Sequence, residues 1–272
     1  MLKKLASFIS VINNNNTVIT TLLLIIMGAG LFLRFIYINT TVIDSPFRAD
    51  ARDYVTYAYN LHHFDTFSRE NGPNPSPDSY RTPGYPAFLA LIIKFGGLRN
   101  FYKNTLYTQA ILGVLLILLT FLLANFIMPP LLSLLTAVSV CISPHLVTIG
   151  GYILTEILFT FLLLLALVFY LHASNRNNSW LYGLAGSSFG IAYLTTPTVF
   201  FIPWILCGIE LYKKWNNKKL ITKNMAVFLM IFTVFWLGWA IRNQVNIQTE
   251  NPKSRALMNI SHGTYPDFIY KN

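Results

Sequence analysis

The chain contains 272 residues, of which 54% are hydrophobic and 11% are charged, and its mean hydropathy is +0.51. This composition excludes an ordinary soluble globular protein and predicts a protein that crosses a membrane several times. The formal net charge is +10, but the basic residues lie in short segments between apolar runs. We therefore attribute them to the enrichment of Lys and Arg in cytoplasmic loops, and we expect no nucleic-acid partner.

The chain begins with a short polar leader, residues 1–16, that carries Lys3 and Lys4. The apolar run at 17–38 is longer than the core of a signal peptide and has no small-residue cleavage site, so it predicts an uncleaved signal-anchor helix. Lys3 and Lys4 then stay in the cytoplasm. The first loop that follows, residues 39–103, is expected to face the extracytoplasmic side.

This first loop holds most of the acidic residues, although acids are rare in the sequence as a whole. Six of the ten Asp and Glu residues lie in it: Asp44, Asp50, Asp53, Asp65, Glu70 and Asp78. If the middle of the loop is a helix, Asp50 and Tyr54 are one turn apart, and Tyr57 and Leu61 continue the same face. The pattern predicts an amphipathic helix that lies against the membrane.

The apolar run at 84–97 is well short of the roughly 20 residues that a bilayer crossing needs, which indicates a juxtamembrane or half-inserted helix. Six further apolar runs follow it: 104–126, 131–149, 154–171, 181–194, 197–212 and 224–241. With the first helix they predict seven crossings in a module at 17–241, followed by an extracytoplasmic C-terminal segment at 242–272. A rival topology crosses at 84–97 and fuses 181–212 into one helix. The charge bias fits both, and we prefer the first because the rival needs one short and one over-long crossing.

The cysteines and histidines do not have the spacing of metal ligands. Cys141 and Cys207 each lie inside an apolar run, His62 and His63 are adjacent, and the other three histidines stand alone. Adjacent residues point to different faces of a helix and cannot share an ion. We therefore predict no metal site and no bound cofactor, and leave open a need for a divalent cation.

Two carboxylates of the first loop are the leading candidate site residues. Asp53 is compatible with a solvated helix face or a helix cap, because Asp is favoured at helix starts. Asp50 lies where the loop must fold back on the membrane beside other polar groups. A partly desolvated carboxylate at that place is suited to act as a general base towards a hydroxyl or an amine.

Arg81 and Tyr85 lie at the entry to the short apolar helix, in the sequence Arg-Thr-Pro-Gly-Tyr-Pro. One interpretation is interfacial anchoring, for which Arg and Tyr are both suited. The other is phosphate recognition, because the guanidinium offers a fork of donors that matches phosphate oxygens.

Glu156, Arg242 and Asn243 lie at predicted ends of crossings on the outer side. An acid at a helix N-terminus is favourable on dipole grounds alone, but Glu156 is an isolated acid on that side and points to a cavity or a partner. Arg242 gains nothing from the positive-inside rule there, so a second phosphate-binding arginine is as good an interpretation as an anchor.

Five short motifs occur in one order along residues 17–248. They are Asp50-x-x-x-Tyr54, Arg81-Thr-Pro83-Gly84-Tyr85-Pro86, Thr155-Glu156-Ile-Leu-Phe, Leu194-Thr-Thr-Pro197-Thr and Trp239-Ala-Ile-Arg242-Asn243. In this order the chain resembles the C-type membrane glycosyltransferases, and within them the branch of the dolichyl-phosphate-mannose protein mannosyltransferases and lipid A aminoarabinose transferases.

The resemblance implies an all-α module of about seven transmembrane helices, with an active site under a first loop of juxtamembrane helices. It implies an inverting enzyme that moves a sugar from a polyprenyl-phosphate carrier to a lipid, glycan or protein acceptor at the outer membrane face. Asp50 takes the place of the base in this scheme. The substrate-binding positions are Asp53, Tyr54, Arg81, Tyr85, Glu156, Arg242 and Asn243.

The chain departs from the family pattern in two places. Thr196 precedes Pro197 where the family usually has a basic residue. The family also continues with further crossings and an outer domain, so we expect a truncated member or one that works with a partner subunit. The alternative function is a non-catalytic subunit that binds or moves a polyprenyl lipid in surface-glycan assembly. We expect a bacterial inner membrane, with the N-terminus cytoplasmic and the site extracytoplasmic.

Overall fold

A computed structural model describes residues 15–47, 49–213 and 218–246 of the chain. All but the last two residues of the predicted leader, including Lys3 and Lys4, lie outside the described residues. So does the C-terminal segment beyond residue 246.

Within the described ranges the regular structure is entirely helical. Ten α-helices occur in the order α1 (Asn16–Thr40), α2 (Asp50–Phe64), α3 (Gly84–Gly96), α4 (Phe101–Ala124), α5 (Pro130–Ile142), α6 (Pro144–Thr148), α7 (Glu156–Arg176), α8 (Ser179–Thr195), α9 (Ile202–Lys213) and α10 (Lys218–Asn246). Three short 3-10 segments connect them: Leu98–Asn100, Ile149–Gly151 and Pro197–Phe201.

The helix ends follow from local sequence signals. The Asn15 side chain accepts a hydrogen bond of 3.2 Å from the backbone N–H of Val18, and so caps the start of α1. Pro130 and Pro144 each occupy the first position of a helix, where a missing N–H costs nothing. Pro144 also forces a break after α5, and the helical segments on its two sides meet at 55°.

The fold is that of an all-α polytopic membrane protein, as the sequence predicts. Four helical segments among the described residues are long and apolar enough to cross a membrane: Asn16–Thr40, Leu98–Ala124, Glu156–Arg176 and Ile221–Asn246. The bent pair formed by α5 and Pro144–Gly151 makes a fifth if it is one span. The seven-crossing count is not confirmed, because α8 has 17 residues and α9 has 12.

The short apolar helix α3 lies across one end of the bundle. Its first residue, Gly84, packs so tightly on Thr195 at the end of α8 that an added Cβ would lie 2.6 Å from the Thr195 hydroxyl oxygen. Its last residue, Gly96, lies against Asn104 in the first turn of α4. Both ends of α3 are therefore at the end of the bundle where α4 begins, which favours the topology in which 84–97 does not cross.

The other end of the bundle is held by a buried carboxylate. Glu210 of α9 accepts hydrogen bonds from the Ser174 hydroxyl of α7, at 2.8 and 3.0 Å, and from the Tyr182 hydroxyl of α8, at 2.9 Å. These contacts join the end of α7, the start of α8 and the end of α9. The end marked by α3 is therefore the one that carries the start of α7 and the end of α8.

Candidate active site

A polar cavity of about 410 Å³ opens at the α3 end of the bundle. Its lining comes from α2, the loop before α3, the start of α7 and the break after α8. The lining residues are Asp50, Tyr54, Arg81, Thr82, Thr155, Glu156, Thr195, Thr196, Pro197 and Thr198. A larger groove of about 510 Å³ between α3 and α4 is lined mainly by apolar side chains such as Leu91 and Phe95. We assign the site to the polar cavity, because it brings Asp50, Arg81 and Glu156 together, whereas none of the described residues that line the groove is charged.

Arg81 is the centre of the cavity wall. Its Nη2 donates to Asp50 Oδ1 at 2.6 Å and to Asp53 Oδ2 at 2.7 Å. Its Nη1 donates to Asp50 Oδ2 and more weakly to the Tyr54 hydroxyl, at 3.1 and 3.4 Å, and its Nε donates to Asp53 Oδ2 at 3.1 Å. A guanidinium has five N–H groups, so each of them already has an acceptor.

The Arg81 side chain is only 3% exposed, whereas that of Asp50 is 45% exposed. Burial by itself lowers the pKa of Arg81, but the hydrogen bonds that Arg81 donates to Asp50 and Asp53 outweigh this effect, so the pKa is raised overall. Arg81 is therefore permanently charged and fixed. The structure thus pairs Arg81 with two carboxylates, and phosphate recognition by this residue stays a prediction.

Tyr54 and Tyr85 form the floor beneath this ion pair. The Arg81 guanidinium lies 4.9 Å above the Tyr54 ring, and the edge of one tyrosine packs on the face of the other with the centroids 5.1 Å apart. The Tyr85 hydroxyl donates to Gln109 Oε1 of α4 at 2.6 Å. Burial and the negative charge of nearby groups raise the Tyr85 pKa well above its usual value, so the hydroxyl stays neutral. Tyr85 supports the site from below and does not line the cavity.

Glu156 lines the cavity as the first residue of α7 and is exposed to solvent. Around it are five threonines, at positions 82, 155, 195, 196 and 198. The hydroxyl of Thr82 donates to the Thr195 carbonyl oxygen at 3.1 Å, which ties the loop before α3 to the end of α8. The sequence analysis does not select the threonines as a group, because they lie in three separate segments of the chain.

Arg242 and Asn243 lie in α10, which continues beyond the predicted end at Ile241 to Asn246. The Arg242 guanidinium donates to the carbonyl oxygens of Asp78 at 2.6 Å and Phe67 at 3.3 Å, and to Asn243 Oδ1 at 3.0 Å. It therefore fastens the loop between α2 and α3 to α10. Neither residue is among those that line the cavity, and their predicted roles in substrate binding stay predictions.

The same loop is held by two further residues that sequence reasoning did not single out. Asp78 accepts a hydrogen bond from the Tyr57 hydroxyl of α2 and from the backbone N–H groups of Arg69 and Tyr80, at 2.9 and 3.0 Å. The buried Asn60 donates to the carbonyl oxygens of Ser68 and Glu70, both at 2.8 Å. The sequence signal for this role is an Asn within an amphipathic helix, because such a side chain needs hydrogen-bond partners when it is buried.

No set of three or more His, Cys, Asp or Glu side chains suited to a metal ion occurs in the part of the chain that the structure describes. The need for a divalent cation stays untested. Of the two acidic residues that line the cavity, Asp50 is paired with Arg81, and Glu156 lies at the start of α7.

A bundle of apolar helices with a charged, hydroxyl-rich cavity at one end defines a polytopic membrane protein with a polar candidate site. Comparison with known families makes this more specific. A family model described as dolichyl-phosphate-mannose-protein mannosyltransferase matches residues 102–248, which is more than half of the chain. The chain belongs to this family of membrane glycosyltransferases, which use polyprenyl-phosphate sugar donors. No curated protein matches the chain.

The matched region contains only part of the cavity. Of the cavity residues, the matched region includes Glu156 and the threonines from residue 155 onward. It also includes Arg242 and Asn243, which lie outside the cavity. It begins after α3, so Asp50 and Arg81 lie outside it. The roles of the first-loop residues therefore depend on the geometry of the cavity.

Proposed function

We propose that the protein transfers a sugar from a polyprenyl-phosphate carrier to an acceptor at the extracytoplasmic face of the membrane, with Asp50 as the general base. One observation carries the proposal. The half-exposed carboxylate of Asp50 lies at the edge of a polar cavity, and the buried Arg81 fixes its position. A base must reach the proton that it removes, and its rotamer must be locked for the geometry to be productive.

The chemistry is an in-line displacement at the anomeric carbon. Asp50 takes the proton of the acceptor group while the acceptor oxygen or nitrogen forms the new bond. The bond between the anomeric carbon and the carrier phosphate breaks on the opposite face, and its electron pair leaves with the phosphate, so the configuration inverts. The phosphate is stable as an anion, so no general acid is required.

The N–H groups of Arg81 all have acceptors already, and this adds a condition to the scheme. Four of its five N–H groups are donated to carboxylates and one to the Tyr54 hydroxyl, so a bidentate contact of Arg81 with a donor phosphate requires the release of a carboxylate oxygen. Asp50 is the more exposed of its two carboxylate partners. A carboxylate released from a guanidinium is a stronger base. Donor binding at Arg81 would therefore free Asp50 at the moment when the base is needed.

The charge distribution supports an extracytoplasmic site. Lys213 ends α9 and Lys223 lies in the second turn of α10, at the end of the bundle opposite the cavity. Lys-rich ends face the cytoplasm in most membrane proteins. The use of Asn, Lys and Ile in the sequence agrees with a bacterial inner membrane.

The experiment uses the full chain in proteoliposomes with a labelled polyprenyl-phosphate mannose donor. It compares wild type with Asp50→Asn and follows donor binding in parallel. Asp65→Asn is the matched control, because Asp65 is exposed, lies outside the cavity and has a φ of 49° that Asn tolerates well. Loss of transfer in Asp50→Asn alone, with donor binding retained, supports the proposal. Equal transfer by all three proteins contradicts it.

One observation supports a second candidate function. The part of the chain that matches the family leaves out Asp50 and Arg81. A non-catalytic subunit that binds the polyprenyl lipid would need the family's helices without the base. In that case wild type would bind the donor, transfer no sugar alone, and require a partner chain for activity.

A further inference from the structure

A second cavity, of about 290 Å³, shares Asp50 with the first cavity and none of its other described lining residues. Its walls include Ser45, Pro46 and Ala49 from the segment before α2, and Tyr152 and Leu154 from the segment before α7. Asp50 lines this cavity as well as the first one. The carboxylate that we propose as the base therefore lies between two spaces.

The two cavities differ in chemistry. The first contains the Asp50 and Arg81 pair, Glu156 and five threonine hydroxyls. In the second, Asp50 is the only charged side chain among the described residues that line it, and most of the others are apolar. A sugar phosphate, which needs many hydrogen bonds, suits the first cavity. The second suits an uncharged molecule with an apolar body.

Hydrogen bonds and backbone geometry hold the walls of the second cavity in place. Gln109 of α4 donates to the carbonyl oxygens of Gly150 and Tyr152 at 3.0 and 2.7 Å, and this fixes the wall next to α7. On the opposite wall, Ala49 has a φ of 51°, a conformation that residues other than glycine rarely adopt. Such strain persists where the surrounding structure demands it, often at functional sites. Here it fixes the residue directly before Asp50.

The surroundings of this cavity are apolar. Val42, three residues before Ser45, is 86% exposed, and both Phe47 and Tyr152 are exposed as well. The Phe47 ring packs edge-on against Tyr102 in the first turn of α4, with the centroids 5.7 Å apart. This contact is at the beginning of a segment, Leu98–Ala124, that is long and apolar enough to span a membrane, so we infer that the rim is near the bilayer surface. Exposed aromatic and aliphatic side chains at that level indicate access from the lipid phase.

We propose that the second cavity binds the acceptor, and that the acceptor is the uncharged hydroxyl group of an apolar lipid. The inference rests on the proposed function. An in-line displacement needs the acceptor and the carrier phosphate on opposite sides of the anomeric carbon, and two cavities that share Asp50 provide this arrangement. Asp50 takes the hydroxyl proton, the lipid oxygen bonds to the anomeric carbon, and the carrier phosphate leaves with the bonding electrons.

The experiment supplies two acceptors to the full chain in phosphatidylcholine vesicles that contain labelled polyprenyl-phosphate mannose. One is dodecanol, dissolved in the bilayer, and the other is a soluble serine-containing hexapeptide. Ser45→Phe places an aromatic ring in the cavity. Ser45 is an exposed loop residue, so this substitution should have little effect on folding. Val42→Phe introduces the same ring in the same loop, at a residue that does not line the cavity.

We expect wild type to glycosylate dodecanol in preference to the peptide. Ser45→Phe should lower kcat/KM for dodecanol by about tenfold, chiefly through a higher KM, while Val42→Phe changes it by less than about twofold. Preference for the peptide, or an unchanged KM in Ser45→Phe, would overturn the assignment of the cavity while the transferase function stands. No transfer to either acceptor would instead count against the proposed function, and the inference would fail with it.

Discussion

The most informative single substitution is Arg81→Lys, because it keeps the positive charge and removes the fork. Arg81 makes five hydrogen bonds to Asp50, Asp53 and Tyr54, and four of these are to carboxylate oxygens. A Lys ammonium has three N–H groups on one nitrogen and cannot hold both carboxylates in the same geometry. At least two charge-assisted hydrogen bonds are therefore lost.

Hydrogen bonds to charged groups contribute roughly 1.5–3 kcal/mol each, which gives a gross loss of about 3–6 kcal/mol for two of them. Hydrogen bonds from water to the carboxylates compensate for part of this loss, because the Asp50 and Asp53 side chains are 45% and 27% exposed. We therefore expect a net loss of about 2 kcal/mol in the positioning of Asp50, or roughly a thirtyfold fall in kcat/KM.

The assay is sugar transfer in proteoliposomes at several donor concentrations, with thermal unfolding in detergent measured alongside. Arg52→Lys is the matched control, because Arg52 is an exposed residue of the same helix as Asp50 and should tolerate the change within about twofold. If Arg81→Lys transfers sugar at nearly the wild-type rate, the fork does not position the base and our reasoning about the ion pair is wrong.

Three other predictions concern the supports of the site. Burial and the neighbouring Asp78 raise the pKa of Tyr57 above its ordinary value of 10.0, so the folded state favours the neutral hydroxyl. The stability of the fold should therefore be constant below pH 10 and fall above it. Thermal unfolding at alkaline pH should show a smaller fall in Tyr57→Phe. Arg242→Gln should loosen the loop between α2 and α3, seen as faster proteolysis near residue 70, whereas Lys94→Gln on the exposed side of α3 should not. Arg34 is 2% exposed and two of its nitrogens lack a hydrogen-bond partner, so Arg34→Met should raise thermal stability by ~2 kcal/mol, and a fall would contradict the view that this buried charge is destabilising.

The helices of the module follow from the sequence because their signals are local. The run at 84–97 predicts a short helix, and α3 occupies Gly84–Gly96. The amphipathic pattern from Asp50 to Leu61 likewise falls within α2. Hydrophobic runs and helix caps depend on neighbours a few residues away, so one sequence is enough to read them.

The partners of the site residues depend on distant contacts that a single sequence does not reveal. Asp50 and Arg81 are 31 positions apart, and nothing in their spacing indicates a bidentate pair. The sequence suggests a phosphate ligand or an anchor at Arg242, and it does not reveal that this residue binds loop carbonyls 164 and 175 positions away. The end of α10 was placed too early for the same reason, because a polar residue that finds buried acceptors can continue a helix.

The central claim is that Asp50 removes the acceptor proton during sugar transfer. The most direct measurement is the single-turnover rate of transfer from pre-bound polyprenyl-phosphate mannose, in wild type and in Asp50→Asn, with the donor dissociation constant measured for both. Our account predicts a rate lower by about 100-fold or more in the variant, at a dissociation constant within about threefold of wild type. An unchanged single-turnover rate in Asp50→Asn would contradict it.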